Sequence, residues 1–304
     1  MPRKKQLADP SKAVVYALGA NFAIAITKYV AAAITGSESM FAEAVHSTAD
    51  CGNQLLLLLG LKLSRRPPTP DYPMGFGKET YFWSFVVAIM LFTVGGMFSI
   101  YEGWHKLAEP EPLDKPFIAL GVLAFGIAAE SFSMWGALRE VNKSRGRSSL
   151  WRWFRGTRNS ELVVIFGEDL AALIGLALAF VAVLATWLTG NPMWDALGSI
   201  AIGVLLIVVA VAVAIEVKAM LIGQGVEADV RAEMLQFLGE QPAVERVIEL
   251  LTLHMGGDVM VAVKAKMRPQ GDLDRLVDAI NGVEAAFKAR FPQTQWIFFE
   301  PDVR

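Results

Sequence analysis

Cysteine is almost missing from this sequence: Cys51 is the only one in 304 residues. A single thiol excludes an intrachain disulfide and any metal cluster built on several cysteines. Charge is scarce as well, at 19% of residues against about 25% in an ordinary soluble protein. The two signs nearly cancel, to a formal net charge of −2, so no overall basic field points to nucleic acid. Histidine occurs only as His46, His105 and His254, which excludes a histidine-rich loop. No HExxH motif is present, which removes the membrane metalloprotease reading, and no enzymatic activity is expected. Arg3, Lys4 and Lys5 lead into a long apolar segment without a small-residue cleavage site, so that segment reads as a retained helix and no removable signal peptide is expected.

What the chain has in abundance is hydrophobic residues, 54% of the total. A helix needs roughly 20 mostly apolar residues to cross about 30 Å of hydrocarbon. Six stretches qualify, near 13–35, 39–63, 79–101, 116–138, 160–187 and 193–222. Breakers separate them: Gly36-Ser37, Pro67-Pro68 with Pro70 and Pro73, Pro110 with Pro112, and Gly190-Asn191-Pro192. Basic residues crowd two connections. Lys62, Arg65, Arg66 and Lys78 flank the second, and Arg139, Lys143, Arg145, Arg147, Arg152, Arg155 and Arg158 fill the fourth. The first and fifth connections hold no Lys or Arg, and the third holds Lys106 and Lys115. The positive-inside rule therefore puts both termini in the cytoplasm. The expected setting is a bacterial inner (cell) membrane. The basic fourth connection could touch anionic lipid, but topology alone already accounts for it.

From about residue 224 the pattern changes to short helix-like and strand-like periods. Residues 227–239 and 272–290 have helical spacing, the second with Leu273, Leu276, Val277, Ile280, Val283 and Phe287 on one face. Residues 244–254, 258–267 and 294–299 read as strands. The expected organisation is a six-helix transmembrane domain over 1–223 and a cytoplasmic α+β domain over 224–304. A domain of that size gains stability from pairing with a copy of itself.

Charged groups inside the hydrocarbon cost about 2.5–3.5 kcal/mol each on insertion scales, so each needs a reason. The second stretch carries Glu43, His46 and Asp50, then Asn53 and Gln54. His46 and Asp50, four apart, share a helical face with Glu43. The fifth carries Glu168 and Asp169, with Glu161 two turns earlier. Mutual pairing or a solvated cavity would explain one such charge. Two acid-rich clusters on two helices, with no basic residue of either at the same depth, call for a cation. Histidine plus carboxylates suits Zn²⁺, and Mn²⁺ or Fe²⁺ would accept the same donors. Glu43, Asn21 and Asn53 are candidates for supporting the ligands or lining the ion's path, Lys28 for pairing with a carboxylate, and Glu130 for a proton or ion way-station; structural roles remain open for each. Cys51, about 100° round the helix from Asp50, reads as packing.

The runs SESMFAEAVHSTADCGNQ, RPPTPDYPMGFGKE, GGMFSIYEGWHKLAEPEP and WDALGSIAIGVLL resemble the cation diffusion facilitator family over the whole chain. The resemblance implies six spans, a ferredoxin-like cytoplasmic domain, and a homodimeric, proton-coupled efflux antiporter working by alternating access. It carries metal ligands onto His46, Asp50 and Asp169. The family's remaining histidine falls on Ile165, and Glu168, three residues later, could replace it. The run GEDLAALIG resembles the zinc transporter 9 branch, in which an acid pair stands in for that histidine. Zn²⁺ is the leading cargo, with Mn²⁺, Fe²⁺, Co²⁺ or Cd²⁺ as alternatives, and no cofactor beyond the transported ion is expected. A membrane metal sensor or scaffold that transports nothing is the alternative from another class. Lys78 matches a dimer-interface lysine whose acidic partner falls on Gly223, leaving Glu216 or Glu227 as substitutes. The family's cytoplasmic metal positions fall on Ile248, Lys264, Phe298 and Glu300, so that site is mostly lost; His254 and Glu300 remain as weak candidates.

Overall fold

The computed structural model describes residues 10–35, 38–109, 116–146 and 148–303. The side chains of 35, 38–43, 45 and 46 also lie outside the described set. The expectations on Arg3, Lys4, Lys5, Gly36-Ser37, Pro110, Pro112, Lys115 and Arg147, and on the side chains of Glu43 and His46, therefore fall outside the described residues.

The chain is mostly helical: α1 (Pro10–Thr35), α2 (Glu38–Ser64), α3 (Glu79–Met90), a π-helical segment (Leu91–Met97), α4 (Phe98–Ala108), α5 (Pro116–Arg145), α6 (Leu150–Gly156), α7 (Ser160–Thr189) and α8 (Met193–Ile222). After these come α9 (Ala228–Gly239), β1 (Val244–Met255), β2 (Asp258–Met267), α10 (Leu273–Arg290) and β3 (Thr294–Pro301). Among the described residues, five helical rods are long and apolar enough to cross a membrane: 10–34, Glu79–Ala108, α5, α7 and α8. The α2 helix is not one of them, and its first half carries Glu43, His46 and Asp50.

Two helices run past their apolar stretches. The rod that starts at Glu79 continues to Ala108 and α5 to Arg145, because charged residues end burial in hydrocarbon without ending the i→i−4 ladder. The basic connection after α5 is not wholly irregular either: in α6, Trp153 and Phe154 are buried, each ring lying beside Phe166 of α7. Asn159 caps α7, its side chain accepting from Leu162 N at 3.1 Å. Gly190 closes that helix at φ +67°, a left-handed backbone favoured by glycine.

The residues divide into two compact units. The first comprises 1–62, 80–155 and 159–218; the second comprises 63–79, 156–158 and 219–304. In the first unit α5 packs along both α1 and α7. The α8 helix meets the π segment and α4 almost backbone to backbone. A Cβ on Gly203 would lie 2.7 Å from Gly96 O, and one on Gly103 would lie 2.8 Å from Ala196 O. Phe22, Tyr101, Trp104, Phe117 and Leu188 stay exposed, as a surface facing hydrocarbon requires. Trp187 ends α7 beside Phe117 at the start of α5, with ring centroids 4.9 Å apart, an aromatic pair suited to a membrane interface.

In the second unit β1 and β2 are antiparallel and β2 and β3 parallel, in the order β1-β2-β3. Val259, Val261, Val263 and Ala265 alternate toward one face of β2 and build a core with Met234, Leu238, Leu250, Val283, Phe287 and Phe291. The apolar stripe on α10 is only half used: Val283 and Phe287 are buried, whereas Leu273 is 72% exposed and Val277 is exposed too. The connection 63–79 belongs to this unit, and Gly77 lies so close to the β1–β2 turn that a Cβ there would overlap Met255 O.

Candidate metal site

The acids of α7 sit deep in the first unit. Glu168 is 6% and Asp169 2% exposed, a burial that a carboxylate tolerates only with partners. Both Glu168 oxygens have one on α2. Asn53 Nδ2 donates to Oε1 at 3.2 Å and Gln54 Nε2 to Oε2 at 2.7 Å. Asp169 turns the other way, to α5, where Ser133 Oγ donates to Oδ2 at 2.8 Å. Adjacent residues about 100° apart on one helix thus tie α7 to two different neighbours.

Asp50 is half-buried on α2 and lines a small cleft with Ala49, Asn53, Met90, Leu91, Val94 and Gly95. One wall is the π segment, a geometry that recurs at functional sites because it widens the helix by one residue. Asp50 and Glu168 lie within electrostatic reach of each other, and Glu130 lies within reach of Asp169, Asp50 and Lys28. Asn21, Lys28 and Glu130 are all buried. The structure thus gathers Asp50, Asn53, Gln54, Glu130, Ser133, Glu168 and Asp169 in one unit.

Several expected residues do other things. Ile165, in place of the family histidine, is fully buried. Glu161 accepts from Ser160 Oγ at the start of α7. Cys51 is buried and unpaired with any other cysteine. Among the described residues, no three His, Cys, Asp or Glu side chains come together as a metal cluster; the hydrogen bonds to Glu168 and Asp169 draw the two acids apart, and the His46 side chain is outside the described set. Ser133 was not singled out from the sequence. The signal for it was there: Ser133 lies three residues after Glu130, on the same face of α5.

In the second unit, Lys78 Nζ lies 3.5 Å from Leu221 O. Glu216, one substitute for its acidic partner, accepts from Arg155 Nε at 2.8 Å instead, within the first unit. Glu227, the other, faces His254 electrostatically. His254 is part-buried on β1, with Nδ1 3.4 Å from Gly256 O. Burial pushes its pKa down and Arg158 adds to this, while Glu227 and the Gly256 carbonyl pull the other way. Glu300 is bound to Lys264 at 3.2 Å, as is Asp302 at 2.9 Å. Those bonds hold the Lys264 ammonium above the usual lysine range, Asp302 contributing most. Of the expected cytoplasmic metal positions, Lys264 and Glu300 are thus paired with each other.

The family model for the cation efflux transmembrane domain matches residues 14–222. A Xenopus laevis protein named proton-coupled zinc antiporter SLC30A9, mitochondrial, is 32% identical over 91% of this chain and 52% of its own length. Metal tolerance protein C4 of Arabidopsis thaliana is 32% identical over 78% of this chain and 52% of its own. Zinc transporter ZitB of Escherichia coli is 24% identical over 89% of this chain and 82% of its own. The chain spans about half the length of the first two. With the family model matching residues 14–222, well over half of its length, this chain is a member of the cation efflux family, the cation diffusion facilitators.

Proposed function

We propose that this chain is a divalent-cation efflux transporter that exchanges Zn²⁺ for protons by alternating access as a homodimer. The observation that carries the reading is the buried Glu168–Asp169 pair, held by polar side chains of α2 and α5 inside an apolar helical array. The names of the SLC30A9 and ZitB relatives support Zn²⁺, and the first supports proton coupling. Under this reading α2 is the sixth span of 1–223, both termini lie on the cytoplasmic side of a bacterial inner membrane, and 224–304 is a cytoplasmic ferredoxin-like domain. The homodimer reading is supported by the outer sheet face, where Leu251 and Phe298 flank Ala262 and are each more than half exposed.

His46, Asp50 and Asp169 bind the ion, with Glu168 joining when its amide partners release it; Glu43, Asn21 and Glu130 support the path. These donors must be deprotonated to hold metal, so loading releases protons and protonation on the far side ejects the ion. An imidazole with an ordinary pKa of about 6.5 suits that exchange. Ile165 in place of a nitrogen donor favours a second reading, with Mn²⁺, Fe²⁺, Co²⁺ or Cd²⁺ as cargo. The test is uptake of each ion into proteoliposomes under a proton gradient, with Asp50→Ala as the comparison. Gradient-driven uptake lost in Asp50→Ala is expected. Equal uptake by the variant would sink the site, and no flux of any ion from folded protein would sink transport.

A further inference from the structure

Glu168 dictates how two amides on α2 are turned. An amide offers protons only from its nitrogen, so an amide that donates to a carboxylate oxygen turns its own oxygen away from it. Asn53 and Gln54 both do so, at 3.2 and 2.7 Å. Their carbonyl oxygens consequently point elsewhere, and among the described residues Asn53 Oδ1 and Gln54 Oε1 are both buried without a hydrogen-bond partner. The residues are 4% and 0% exposed, and a buried acceptor left unmet is destabilising. The two differ in what lies next to them. Asn53 lines the cleft that Asp50 lines, whereas Gln54 is not among its walls. Asn53 also follows Asp50 by three residues, which puts the two on one helical face. A carboxylate and an unsatisfied neutral carbonyl therefore share one cleft.

We infer that Asn53 Oδ1 is a ligand of the transported cation, beside Asp50, and that it biases the site toward oxygen-preferring divalent ions. This rests on the reading of Asp50 as a cargo ligand. A carbonyl oxygen is a hard, neutral donor of the kind that suits Mn²⁺ better than an imidazole nitrogen does. It adds a ligand without adding charge, so the site reaches a higher coordination number without further repulsion between acids. The ion in turn satisfies the oxygen that the apo protein leaves orphaned. The Glu168 bond keeps the Asn53 amide from flipping, and so keeps its oxygen free of that carboxylate.

The test is calorimetric binding of Zn²⁺ and of Mn²⁺ to the detergent-purified full chain and to Asn53→Leu, Gln54→Leu and Asp50→Ala, with a melting curve for each. Leucine keeps the branched outline of asparagine and carries no polar atom. Asn53→Leu is expected to weaken Mn²⁺ about tenfold more than Zn²⁺. Gln54→Leu loses the shorter bond to Glu168 but no oxygen in the cleft, and is expected to keep the wild-type ratio of the two affinities. A ratio shifted equally in both leucine variants would mean that Asn53 acts only through Glu168, and would overturn the inference. So would an unshifted ratio in Asn53→Leu; where leucine does not fold, Asn53→Ala is read the same way. Wild-type affinity in Asp50→Ala is a separate result: it removes the metal site itself, whatever the Asn53 variants do.

Discussion

Replacing Ser133 with alanine removes one hydroxyl from beside the acid pair and changes little else in volume. Ser133 is fully buried and Asp169 nearly so, and the hydroxyl donates to Asp169 Oδ2 at 2.8 Å. A hydrogen bond to a charged group contributes about 1.5–3 kcal/mol. Groups that orient a metal-binding carboxylate are worth about 10–100-fold in affinity, which at about 1.4 kcal/mol per decade is the same range. Ser133→Ala should therefore weaken Zn²⁺ binding by about 10–100-fold, because the freed carboxylate must be reordered each time an ion binds. The assay is calorimetry on the detergent-purified full chain, with thermal melting to separate misfolding from lost affinity. Ser133→Thr keeps the hydroxyl and should recover most of the loss. A folded Ser133→Ala with wild-type affinity would refute the reasoning, since Asp169 would then bind no ion or need no holding.

Two further outcomes test the frame around the site. Gly203→Ala should lower the melting temperature of the purified protein, because the new Cβ lies 2.7 Å from Gly96 O and 2.8 Å from Ile100 N. Backbone atoms cannot rotate away, so the overlap costs about 1–3 kcal/mol, outweighing the gain of about 1 kcal/mol from better helix propensity. Gly121→Ala, with nothing within 4 Å, is the comparison and should not lower it. The second outcome concerns pH. Burial holds the His254 pKa below its unfolded value, so the unfolded chain takes up a proton more readily. Stability around β1 is thus fully present above about pH 6.5 and is lost as pH falls through that value toward the folded pKa. The hydrogen-exchange protection of β1 in the full chain, corrected for the intrinsic rate at each pH, should fall across that window, and His254→Gln should flatten the change. An unchanged pH profile in the variant would remove His254 as its cause.

Composition and apolar run lengths were enough to read this chain as a membrane protein with a small mixed tail, because the bilayer admits few structures and each leaves a long, simple pattern. The α8 helix begins and ends where its apolar run does, and the alternation of Val259, Val261 and Val263 marks β2 as a strand with one buried face. Charge spacing likewise picked out Asp50, Glu168 and Asp169. What local pattern could not carry was partnership. That Glu168 faces amides of α2 while its neighbour Asp169 faces Ser133 depends on how three helices are rotated against one another, and rotation is decided by packing between segments 36 to 115 residues apart. The same reason hid the half-idle stripe of α10, since spacing shows which residues share a face but not whether anything lies opposite. The chain announces its buried charges one helix at a time. Only the tertiary structure decides which of them meet.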